Sequence, residues 1–136
     1  MKTFALLILA SAALALAAAA IAGVPTYPVT KLQTAQFGAV LAGKNRIALY
    51  TWNRERDGKI RCTGACAKAW PPLLLPKGVM ARHMVAGIKG TFGEIRRPDG
   101  RMQLTFNRRP LYSYEGDGPG QVKCNGVDGW FVVRLR

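Results

Sequence analysis

The chain has 136 residues, with 20 Lys+Arg against 7 Asp+Glu and a sequence pI of about 10.4. That length suits one domain with a modest core and leaves no room for a second large one. So positive a field attracts polyanions and repels cations, which speaks against a calcium-binding protein.

The N-terminus reads as an export signal. Met1-Lys2 gives a short positive start, and an Ala/Leu-rich run extends from Phe4 to Ile21. Ala20-Ile21-Ala22 is an A-x-A site, so cleavage is expected before Gly23, giving a signal peptide over 1–22. The run is near the length of a membrane span, but its small-residue end favours cleavage over anchoring. No cysteine precedes Cys62, so no lipidation site is expected at the mature end. The exported product is expected in the periplasm or outside the cell.

Residues 23–35 hold two prolines and read as an extended lead-in to a single β-rich domain over 36–136. Gln36–Ala42, the turn Gly43-Lys44-Asn45 and Ile47–Trp52 give a strand, turn, strand signal. Small residues from Thr63 to Trp70 predict a short helix over 63–70, capped by Thr63 and ended by Pro71-Pro72. Leu73, Leu74 and Leu75 then supply an apolar plug. Residues 77–90 carry little pattern. Phe92–Arg97, the turn Pro98-Asp99-Gly100 and the alternating Met102–Phe106 predict a hairpin. Asn107-Arg108-Arg109-Pro110 turns the chain into Leu111–Tyr114, and a last strand is expected over Gly129–Leu135.

One segment occurs twice. LYTWNRERDGKIRC (Leu49–Cys62) aligns without a gap to LYSYEGDGPGQVKC (Leu111–Cys124), and Asn45-Arg46 precedes the first copy as Asn107-Arg108 precedes the second. The repeat units run over about 38–76 and 92–135. Half-size units that cannot each bury a core stack into one. The expected fold is mainly β: a small antiparallel sandwich or partly closed barrel of two hairpin units, with one short helix.

Several motifs occur together in order. They are LY[T/S][W/Y], Cys62-x3-Cys66 followed by Trp70-Pro71-Pro72, the turn Arg97-Pro98-Asp99-Gly100, and PLYSYEGD from Pro110 to Asp117. In this the chain resembles the bacterial "secreted repeat of unknown function" family, also described as predicted lipoproteins with a Y-x-(F/W/Y)-x-x-D motif. The resemblance spans about Gly38–Val133. The motif maps onto Tyr112, Tyr114 and Asp117, and onto Tyr50, Trp52 and Glu55, where Glu replaces Asp. The absent lipobox and the extra Cys124 are departures. The resemblance implies no activity, but it favours Cys62–Cys66 as a disulfide; repeat symmetry makes Cys62–Cys124 the rival. Three cysteines leave one over.

Each chemical reading has a structural competitor. Tyr50/Trp52 and Tyr112/Tyr114, flanked by Arg46, Arg54, Arg108 and Arg109, could form stacking platforms for sugars or single-stranded nucleic acid. They could equally be core, with hydroxyls bonded at an edge. Glu55 and Asp117 could be paired catalytic carboxylates or turn-formers that accept backbone N–H groups. Met80, His83 and Met84 are weak copper ligands by type. Cys62-x3-Cys66 could be a redox pair or a staple. A single histidine gives poor grounds for a triad.

The expected function is a secreted, non-enzymatic binding or structural module favouring anionic partners. Envelope polymers or lipid head groups suit it, with no specific nucleic acid and no cofactor. The alternative is a periplasmic thiol-redox or metal-handling protein using the C-x3-C and the Met/His cluster.

Overall fold

A computed structural model describes residues 27–136; the predicted signal peptide lies outside the described residues. Among the described residues, seven strands form three small antiparallel sheets. β1 (Thr30–Thr34) pairs with β2 (Gly38–Ala42), and β3 (Tyr50–Trp52) pairs with β7 (Trp130–Val132). β4 (Phe92–Arg96), β5 (Met102–Phe106) and β6 (Arg109–Pro110) form the third sheet. One short helix, α1 (Ala65–Ala69), interrupts them. The sheets do not close into a barrel. Isolated bridges join them instead, notably Tyr50 to Tyr112, Val40 to Arg134 and Leu74 to Gln103.

Side chains alternate across a strand, and here both faces are covered. Leu41, Leu49, Leu104, Leu111 and Val133 point into an aliphatic cluster with Phe92 and Phe106. Their neighbours Val40, Tyr50, Tyr112 and Val132 point into a second cluster with Trp70 and Trp130. Burial on two faces explains the continuous apolar runs Ala39–Ala42 and Ile47–Tyr50.

Several local readings shift. β1 forms within the stretch read as an extended lead-in, because Leu32 docks on the aromatic cluster while its neighbours face solvent. Thr63 does not cap α1: Gly64 holds the N-cap position without a side-chain bond, and Thr63 contributes its carbonyl to Cys66 N. The regular strand begins at Tyr50 rather than Ile47, because Ala48 makes only an isolated bridge to Ala42 before the chain turns to pair with β7. β5 has the expected alternation, yet Gln103 and Thr105 are buried as well as Leu104 and Phe106. Gln103 is held on both sides of its amide: Nε2 donates to Leu111 O and Oε1 accepts from Arg97, each at 2.7 Å.

Candidate functional site

The repeat is visible in the backbone. Asn45 and Arg46 have φ of 56° and 61°; Asn107 and Arg108 have 48° and 68°. Two consecutive positive φ values mark a two-residue turn whose twist suits a hairpin. Asn accepts that conformation more easily than most residues, which is why it leads both turns. The turns feed Tyr50 and Tyr112 into adjacent positions. Tyr50 N donates to Tyr112 O at 2.8 Å and Tyr112 N to Tyr50 O at 3.0 Å, a reciprocal pair where the halves meet.

The halves then exchange side chains. Tyr50 Oη donates to Asp117 Oδ2 at 2.6 Å, and Tyr112 Oη donates to Glu55 Oε1 at 3.0 Å. Each motif's tyrosine therefore uses the other motif's carboxylate. Each carboxylate also gathers its own loop. Glu55 Oε1 accepts from Arg61 N at 2.7 Å and Cys62 N at 2.9 Å; Asp117 Oδ1 accepts from Lys123 N at 3.0 Å. Burial, then the bond to Asp117, pushes the Tyr50 phenol far above its ordinary value. Burial, then the Glu55 charge, does the same to Tyr112. Both phenols are protonated donors at any physiological pH.

Arg97 joins this network. It is 4% exposed and reaches Gln103 Oε1 and Cys62 O, each at 2.7 Å. The sequence reading placed it only at the edge of a hairpin turn. Its signal was its place in the R-x-D-G motif, where the turn itself explains the last two residues but not the arginine.

The partner aromatics are less buried. Trp52 stacks on Trp130 with centroids 5.0 Å apart, Trp130 on Trp70 at 4.0 Å, and Tyr114 tilts against Trp70 at 4.8 Å. Trp52 Nε1 donates to Asp128 O, and Arg54 lies 5.4 Å over the Trp52 ring. Tyr50 and Tyr112 are fully buried, so neither ring offers a face to a ligand. Trp52 and Tyr114 have one side committed to the stack.

Cys62 and Cys66 form a disulfide, and Cys124 is free. The rival Cys62–Cys124 pairing is not formed. Cys124 sits beside Tyr114 and raises that phenol's pKa. Met80 and Met84 are 78% and 71% exposed on the 77–90 loop, with His83 exposed between them. Among the described residues, no three His, Cys, Asp or Glu side chains gather as a metal-binding group.

The candidate cations divide. Arg46 is exposed beside the Gly120 loop, and Arg54 is occupied by Trp52. Arg108 and Arg109 line a cleft of about 550 Å³ with Arg56, Asp57, Gly58 and Asn107. Arg109 Nη2 donates to Trp52 O at 3.2 Å. Arg56 was not singled out in the sequence, although its repeat-mate Gly118 marks it as a position where the halves differ.

Residues 93–134 match a family model described as a secreted repeat of unknown function. The chain carries that family's repeat. The matched segment runs from within β4 to just beyond β7 and includes Tyr112, Tyr114, Asp117 and Cys124. No curated protein and no solved structure matches the chain. The family description implies export and assigns no activity. Among the described residues, no helix is long and apolar enough to cross a membrane.

Proposed function

We propose that this exported protein is a non-catalytic binding module that holds anionic partners of the cell envelope through its basic surface. The observation that carries the reading is the shortage of internal counter-charge. All basic residues except Lys2 lie among the described residues, and only Arg61 and Arg101 pair with a carboxylate, Asp57 and Asp99 respectively. Glu55 and Asp117 accept from the two tyrosines and from amides of their own loops, which supports a structural role for both. Of the two disulfide sulfurs only that of Cys66 is on a partly exposed residue, so a thiol-redox role would have to begin there.

Retention on heparin is the test. Binding that weakens steeply as salt rises supports the reading. Absence of retention at low salt, or retention indifferent to salt, removes it.

A further inference from the structure

The two halves form an internal control. In each, the Asn-Arg turn lies against the Gly loop of the other half. Gly120 N donates to Arg46 O at 2.8 Å. Gly58 lies so close to the other turn that a Cβ on it would come within 3.2 Å of Arg108 O. Gly58 and Gly120 have φ of 75° and 76°. Equivalent turns and loops thus meet twice, through different bonds and with different side chains: Gly58 N donates to Glu55 O instead. One copy carries Arg56, Asp57, Arg108 and Arg109; the equivalent residues of the other are Gly118, Pro119, Arg46 and Ile47. The contact at Gly120 forms without an arginine at the equivalents of Arg56 and Arg109, and the structural bonds of Arg109 here, to Trp52 O and Asn53 Oδ1, use its Nη2 alone.

What they build is a cleft without counter-charge. Arg56, Arg108 and Arg109 have no carboxylate partner among the described residues. Arg56 donates to Asn53 Oδ1 at 3.3 and 3.2 Å, and Arg109 reaches the same oxygen at 3.3 Å. Arg109 Nε is buried and has no hydrogen-bond partner. Asp57, the one carboxylate of the lining, holds Arg61 through both oxygens at 2.7 Å. Its charge is therefore already matched. Burial, then the nearby Arg56 charge, depresses the pKa of Arg109, as expected where like charges are held together.

We propose that this cleft binds a phosphate group, with Arg56, Arg108 and Arg109 as donors. The inference deepens the anionic-partner reading and rests on it for its biological setting. A carboxylate brings one charge in a planar group. A phosphate monoester brings about −1.5 to −2 and three acceptor oxygens, which several guanidinium forks satisfy together. The cleft exceeds a single phosphate, leaving room for what the group is attached to. Free phosphate and a phosphorylated lipid head group share this chemistry.

The exported chain is titrated with inorganic phosphate while its amide NMR shifts are followed. A parallel titration uses phosphatidylcholine vesicles containing phosphatidic acid. Saturable shifts at Gly58, Asn107 and Arg108 are expected with phosphate; protection of the same amides by vesicles would identify the lipid as a source. Arg56→Glu and Arg109→Ile should each weaken phosphate binding about tenfold or more. The charge-matched control Lys31→Gln/Lys89→Gln should not. Arg56 is exposed, so its variant keeps the test alive if Arg109→Ile misfolds. Absence of saturable shifts at the cleft, or an equal loss in the control, overturns the site. Salt-sensitive heparin retention with a silent cleft removes the site alone; a titrating cleft without heparin retention removes the wider reading alone.

Discussion

Tyr50 and Asp117 lie 67 residues apart, and the tyrosine hydroxyl meets Asp117 Oδ2 at 2.6 Å. Tyr112 and Glu55 make the mirror contact. Asp117 Oδ2 accepts from Tyr50 alone among the described residues, whereas Glu55 Oε1 also accepts from two backbone amides. Tyr50→Phe should therefore cost about 1.5–3 kcal/mol and Tyr112→Phe about 1 kcal/mol. Urea unfolding of the two variants measures both. Equal costs would contradict this reading of the network.

The same phenols set an alkaline limit. Their pKa values are raised in the folded state, so their contribution is fully present below the unfolded value near 10 and is lost as pH rises above it. Above about pH 10 the unfolded chain releases protons that the folded chain keeps. Stability should fall by about 1.4 kcal/mol per pH unit for each phenol. Tyr50→Phe/Tyr112→Phe should flatten that decline in urea midpoints measured from pH 9 to 11.

The Asn-Arg turns hold arginine at positive φ, a conformation that costs an L-residue about 1–2 kcal/mol. Arg46→Gly and Arg108→Gly should each raise stability by about 0.5–1 kcal/mol, the glycine's own entropy offsetting part of the relief. Only Arg108→Gly should also weaken phosphate binding. Thermal melts and the phosphate titration read the two effects separately.

The disulfide is a staple in a short loop. Cys62→Ala/Cys66→Ala should lower stability by about 2 kcal/mol on the loop-closure estimate. Alkylation without reductant, followed by mass mapping, should label Cys124 and leave Cys62 and Cys66 joined.

Much of this was legible in the chain itself. The hairpin over 92–106 announced itself through Pro98-Asp99-Gly100 and strict alternation, both local signals. The equivalence of Tyr50 with Tyr112 and of Glu55 with Asp117 followed from the gapless repeat. The exchange between halves did not, because an offset shows which residues correspond, not which ones touch. Gln103 and Arg97 were unreadable as buried groups for a similar reason: their partners, Leu111 O and Cys62 O, are backbone carbonyls 8 and 35 residues away, which no side-chain pattern marks. Arg56 and Arg109 became meaningful only when the two turn-on-loop contacts could be laid side by side.

Trp130 sits between Trp52 and Trp70 in the aromatic stack, touching both. The first half of the chain thus lacks the middle of its own core until residue 130 arrives. A chain that stops short of residue 130 therefore loses the centre of the whole aromatic cluster, not only its last strand.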